Sequence, residues 1–365
     1  MRILRSYILK EFFGPFVVSL AVLTLVMLLG NLVRLADLII NKGVNILSVA
    51  KLFYFLMPAL LTYTLPIAVL AAVLLSLGRL SSDNEITALR TSGISILRLI
   101  IIPLLIVGLI LSLILVIFNN RVVPYAHFAS RRTLSSIGIK NPAAALEAGT
   151  FIDSFDKYII FIYHIDGNLL HQIRIYEPQS GNRPCRTIVA KMGEFVCLPE
   201  KKMVKLKLID GTSDEPDLSD PTKFYKLNFK TLFLNLNLAE AKNGQIQKKP
   251  KDMTFKEINY QINEFGVAGI ETFPLVTELH KRIALAFSVI VFILLGAGLA
   301  MLTRRREKSI NFSMAFGVIG IYYLLLLGAN ALSLQGYLLP ALAMWLPNLT
   351  LGVVGLFLIF KICVY

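Results

Sequence analysis

The sequence predicts an α-helical membrane protein with six transmembrane helices and an all-β domain inserted between the third and fourth spans. Three observations carry that expectation. Five long runs, residues 12–33, 52–78, 99–120, 283–303 and 309–360, contain no Asp, Glu, Lys or Arg. Between the third and fourth runs lies a stretch of short β-branched and aromatic segments punctuated by turn residues. The composition agrees: 56% of the 365 residues are hydrophobic and 16% are charged, where a soluble domain is about a quarter charged. Mean hydropathy is +0.68.

The first four runs each reach the ~20 residues that span a bilayer. The fifth is too long for one helix and breaks around Asn330, Gln335, Gly336 and Pro340, giving spans near 310–330 and 341–361. The first turn is basic, but the apolar run after Glu11 is long enough to stay in the bilayer, so no cleavable signal is expected. Six spans place both termini on one side. Lys/Arg bias says which side: Arg2, Arg5, Lys10, Arg79, Arg90, Arg98, Arg304, Arg305, Arg306, Lys308 and Lys361 fall on one set of ends, against Arg34, Lys42 and Lys51 in the opposite short loops. Positive residues stay in the cytoplasm, so both termini are expected there, with residues 121–282 outside it.

After a polar passage at 121–149, the segments 150–163, 169–177, 185–198, 203–210 and 222–238 read as strands. Turn chemistry separates them at Asp166-Gly167-Asn168, Ser180-Gly181-Asn182, residues 199–202 and Asp210-Gly211. Such a pattern fits a sandwich, a jelly-roll or an open barrel. Residues 240–252 are rich in Lys, Asn and Gln and read as a linker. Thr254 then caps a helix with Glu257 three residues on, and Phe255, Ile258, Ile262 and Phe265 form its apolar stripe up to Gly266. A second short helix around 275–282 leads into the fourth span. The expected domains are therefore 1–120, with a short helix near 82–92; 121–252, the β-domain with its linkers; and 253–365.

Catalytic chemistry has little support. No G-x-x-x-x-G-K-[ST] occurs, so no phosphate-cradling loop for ATP is expected, and the chain calls for no cofactor. The four histidines, His127, His164, His171 and His280, lack metal-ligand spacing. Cys185 and Cys197 lie on one extended strand, roughly 40 Å apart at ~3.3 Å per residue, too far for a mutual disulfide. Net charge is +14, but no nucleic-acid motif accompanies it. In a membrane protein such an excess serves topology and anionic lipid.

Two places carry candidate function. Residues 81–93, SSDNEITALRTSG, hold their own start signal (Ser82 with Glu85 three later) and their own stop, Gly93. That predicts a short helix between spans two and three, with Ile86 and Leu89 as a small apolar face and Glu85 and Arg90 at its flanks. A rigid lever docking into a partner's groove has those features, while a Glu85 that only closes the capping box has them too. The second place is Arg34 with Asp37, at the outer end of span one. A guanidinium there suits phosphate or carboxylate on a lipid headgroup; a boundary residue reaching out of the bilayer, or an i,i+3 pair with Asp37, reads equally from spacing. The cluster Glu278-Leu279-His280-Lys281-Arg282 reads as interfacial anchoring.

Several motifs then accumulate in order. They are Tyr7-Ile8 in the basic start, LVRLADLI at 32–39, SLGRLSSDNEITALRTSGIS at 76–95, NPAAALEAGTFI at 141–152, TELHKRIALAFS at 277–288 and WLPNL at 345–349. Together they resemble the permease subunits of the lipopolysaccharide-export ABC transporter, the LptF/LptG family, along nearly the whole chain, with SSDNEITALRTSGIS closer to the F-type. Asn31 departs from the basic residue often found there in F-type relatives. The resemblance implies a periplasmic β-jellyroll, pairing with a second related permease, two copies of a cytoplasmic ATPase, lipopolysaccharide as cargo and a periplasmic bridge of jellyroll type. It implies that the segment with Glu85, Ile86, Leu89 and Arg90 is the ATPase-coupling helix, and that Arg34, with Asp37 beside it, faces lipid A phosphates. A mechanotransmitting permease of the lipoprotein-release or efflux kind is the alternative, but it would place its large domain after span one of four. A secondary transporter would need ionisable residues within the spans.

Overall fold

The computed structural model describes residues 2–40, 43–140, 151–155, 158–166, 169–178, 185–198, 203–216, 224–236, 248–267, 271–302 and 308–364. They form two compact units, one of Met1–Asn31, Leu56–His127 and Lys249–Tyr365, the other of Leu32–Phe55 and Phe128–Lys248. The helices are α1 (Arg2–Ile40), α2 (Ile46–Ser82), α3 (Glu85–Thr91), α4 (Ile102–Lys140, entered through a π-helical turn at Leu97–Ile101), α5 (Phe255–Val267), α6 (Phe273–Leu302), α7 (Lys308–Leu334) and α8 (Pro340–Val364). Six of these segments are long and apolar enough to cross a membrane, and the inserted β region follows α4 as expected.

Burial ranks the helices of the first unit. The most apolar stretches of α2 and α6 are 78% and 72% buried, against 17% for α1 and 22% for α7. The centre of this unit is therefore α2 with α6, joined by Ile100 and Leu104 at the start of α4 and by Tyr322 and Met344 of α7 and α8. Lipid gives apolar helices no hydrophobic reason to associate, so small residues that let backbones approach decide the packing. Gly296 of α6 is one: a Cβ there would lie 3.0 Å from Val73 of α2. Gly298 faces the opposite way, where a Cβ would lie 2.6 Å from Leu358 of α8.

Several boundaries differ from expectation. The passage at 121–149 is helical as far as Lys140, because α4 simply continues past its apolar run, with Pro124 inside it. The separate helix at 275–282 is the first part of a continuous α6. The capping box of α5 is present: the Thr254 amide donates to Glu257 Oε2 at 2.8 Å, and the Glu257 amide donates to Thr254 Oγ1 at 3.4 Å. The stripe of α5 packs as Ile258, Ile262 and Phe265 against Met253, Leu275 and Leu279.

In the second unit the strands β1 (Phe151–Phe155), β2 (Tyr158–Asp166), β3 (Leu169–Glu177), β4 (Arg186–Leu198), β5 (Met203–Pro216) and β6 (Phe224–Leu236) form one antiparallel sheet in sequence order. The segment 150–163 is thus two strands, and Asp210-Gly211 lies inside β5 instead of ending it. The turns expected at 167–168, 180–182 and 199–202, and most of the linker at 240–252, lie outside the described residues. One row across the sheet is unusual. Gln172 and Asp210 have φ of 52° and 51°, and both fall between paired neighbours: His171 and Ile173 on β3, Ile209 and Gly211 on β5. A left-handed residue inserts a half-step in the two-residue alternation of a strand. Leu170 and Ile173 are consequently both fully buried although three apart, and β5 passes from buried Leu208 to buried Ser213 across the same row. The crease thereby keeps one face apolar, from Ile160 and Ile162 through Ile188 to Leu206.

Candidate functional site

The start of α3 is built differently from the capping box its sequence suggests. Helix α2 runs on to Ser82, whose hydroxyl donates to the Arg79 carbonyl at 2.8 Å and so closes α2. The N-cap of α3 is Asn84, left-handed at φ 60° and without a side-chain cap bond. Asparagine tolerates that conformation, and it lets the chain turn within two residues. Glu85 is therefore the first residue of α3, and its carboxylate is not engaged in capping. The stop is as expected: Gly93 at φ 73° follows the helix, its amide donating to the Arg90 carbonyl at 2.9 Å and that of Ile94 to Leu89 at 3.1 Å, the Schellman pattern.

What holds α3 is its contact with other helices. Ile86 is 7% exposed and belongs to the bundle core, with Leu89 packed beside it. The small apolar face of Ile86 and Leu89 is thus seated on this chain's own helices; Thr87, Ala88, Arg90 and Thr91 are the exposed residues of α3. Arg90 donates to the Ile362 carbonyl in the last turn of α8, where helix carbonyls have no internal partner. At the other end of α3, the Tyr7 hydroxyl lies 3.2 and 3.1 Å from the two Glu85 oxygens and donates to that carboxylate. Arg79 Nη2 donates to the Tyr7 oxygen at 3.2 Å and pairs with Glu11 at 2.8 Å. Leu4, Ile8, Leu80 and Ala88, with Tyr7 and Glu85, enclose a mainly apolar hollow of about 270 Å³ beside this network. Sequence reasoning missed the roles of Tyr7, Glu11 and Arg79. Only the i,i+4 spacing of Tyr7 and Glu11 on one face of α1 signalled them.

Arg34 is exposed on α1 and Asp37 is half-buried one turn on. They lie beside a small cluster in which Leu35, Leu38 and Ile39 of α1 pack on Val44, Val49, Leu52 and Ile137. The Asn31 amide donates to the Met27 carbonyl at 3.0 Å.

Arg282 is the larger surprise. Expected as an interfacial anchor, it is 5% exposed. Its guanidinium meets Glu278 at 3.1 Å and donates to the carbonyls of Met253 at 2.7 Å and Pro250 at 2.8 Å. The Arg282 carbonyl in turn accepts from Asn119 of α4 at 3.3 Å, and Asn119 accepts from Thr62 of α2 at 2.8 Å. This chain of bonds fastens the segment before α5 onto α2, α4 and α6. Of the histidines, His164 and His171 are cross-strand partners with rings 6.2 Å apart. Among the described residues no three His, Cys, Asp or Glu side chains converge as a metal site would require.

Six apolar helices, a short helix fastened between two of them and an inserted β-domain define a multi-pass membrane protein of the permease type. The chain belongs to the family described as lipopolysaccharide export system permease LptF/LptG, whose sequence model matches residues 6–361. Similar proteins include the lipopolysaccharide export system permease protein LptF of Escherichia coli K12, 22% identical over 353 residues that cover 95% of this chain and 92% of the relative. LptF of Escherichia coli O157:H7 and of Shigella flexneri match at the same identity and coverage.

Proposed function

We propose that this chain is an F-type permease subunit of an ABC transporter that extracts lipopolysaccharide from the outer leaflet of the inner membrane. A second LptF/LptG-type permease completes the cavity, a separate cytoplasmic ATPase dimer supplies the energy, and the β-domain hands the lipid to a periplasmic jellyroll bridge by strand-edge addition. The observation that carries this reading is the family match along 6–361; the similarity to LptF proteins supports the F-type assignment. The Lys/Arg bias supports termini in the cytoplasm and a β-domain in the periplasm.

Arg34, with Asp37 beside it, takes the lipid headgroup. The Arg34 side chain is exposed on α1, and a guanidinium binds phosphate with forked, charge-assisted bonds. Glu85 and the helix Glu85–Thr91 receive the stroke of the ATPase. A carboxylate near a helix start suits a basic or donor-lined groove on that partner. The test is purification of the complex from native membranes, with mass spectrometry of bound protein and lipid. The expected result is lipopolysaccharide on the wild-type complex and much less on Arg34→Glu, with the subunits still assembled. A wild-type complex that carries no such lipid overturns the reading; equal lipid on both removes Arg34 from it.

A further inference from the structure

The Tyr7 hydroxyl sits between two charged groups on two other helices. It donates to the Glu85 carboxylate of α3 at 3.1 Å and accepts from Arg79 of α2 at 3.2 Å, while Arg79 also pairs with Glu11 one turn along α1 at 2.8 Å. A phenol has one proton to give and lone pairs to receive, so it can serve an anion and a cation at once. Both bonds have an ionised partner, a carboxylate acceptor on one side and a guanidinium donor on the other. A helix of seven residues does not hold its place by itself, and α3 has no side-chain cap at its start. Its first turn is located by buried Ile86 and, at the Glu85 carboxylate, by Tyr7 and through it by α1. The far turn is located separately, by Arg90 on the Ile362 carbonyl of α8.

We propose that Tyr7 is a positioning residue for energy coupling: it ties the Glu85 end of α3 to α1, so that a displacement of α3 by the ATPase moves the first span directly. The inference rests on the proposed function, which makes α3 the receiver of the stroke. It assigns a route from α3 to a particular helix and a residue that carries it.

The experiment uses the complete complex in proteoliposomes loaded with lipopolysaccharide, with ATP hydrolysis and lipid release measured in the same vesicles. Tyr7→Phe removes one oxygen and leaves the ring. The expected result is an assembled complex whose lipid release per ATP falls roughly tenfold, the factor of a single charge-assisted hydrogen bond. In a Glu85→Gln background, where the acceptor has lost its charge, the same change costs distinctly less. Full release per ATP in Tyr7→Phe overturns the assignment, as do strictly additive losses in the double variant. A parallel fall in assembly, hydrolysis and release would mark a merely structural phenol, and also overturns it. If the wild-type complex hydrolyses ATP but releases no lipid, the proposed function fails and the tether falls with it.

Discussion

Single residues in this chain take their meaning from partners far away in sequence. Glu85 stands out in SSDNEITALR because a carboxylate beside short polar residues signals a helix start. Its actual partner is 78 residues away on α1, and nothing in the α3 segment points to Tyr7. Arg282 illustrates the same limit more sharply. At the mouth of an apolar run an arginine normally reaches for water, so TELHKR reads as anchoring; only the fold brings the Pro250 and Met253 carbonyls to it. A charge so placed is costly to orphan. Replacing Arg282 with alanine strands Glu278 and two carbonyls, and breaking a buried pair of this kind costs about 3–5 kcal/mol. The expected outcome is a markedly lower melting temperature for the detergent-purified protein. A melting curve that stays within a degree or two of wild type would show that Arg282 is solvated after all.

At the level of elements, the existence of the helices was plain and their ends were not. An uncharged run marks the part of a helix that lipid must cover, but nothing stops the helix there. Helix α4 continues to Lys140 because residues 125–137 contain neither glycine nor proline. The Asp210-Gly211 pair misleads for a related reason. The left-handed tolerance that makes such a pair a good turn also lets Asp210 crease a strand without ending it. Ser82 fails as a cap because α2 reaches it first. Gly93, by contrast, was legible, since only a left-handed residue closes α3 and no neighbour lies within 4 Å of where its Cβ would be. Gly93→Ala therefore isolates the backbone term, about 1–2 kcal/mol. Amide exchange across residues 86–92 should quicken with the rest of the bundle unchanged. Unaltered exchange would mean that Arg90 and Ile86 hold α3 without help from its C-cap.

For the whole molecule, six spans and the inserted β-domain were readable because lipid demands long uncharged helices and strands demand alternation. What alternation alone could not supply was the fold of the sheet, a sequential meander creased along the Gln172–Asp210 row. Orientation is the remaining large-scale expectation and follows from charge bias. Cysteines placed by Asn182→Cys and Glu307→Cys should label from opposite sides of intact cells, with only the first reached by an impermeant thiol reagent. Labelling of position 307 in intact cells would reverse the topology. The fastening of α3 also bears on biosynthesis. Arg90 leaves the ribosome early, yet the carbonyl that receives it belongs to Ile362, 272 residues further along the chain. Until the final turn of α8 is inserted, α3 lacks the bond that fastens its far turn. A chain interrupted before that turn would therefore reach the membrane with α3 held only by Tyr7 and by the packing of Ile86 and Leu89.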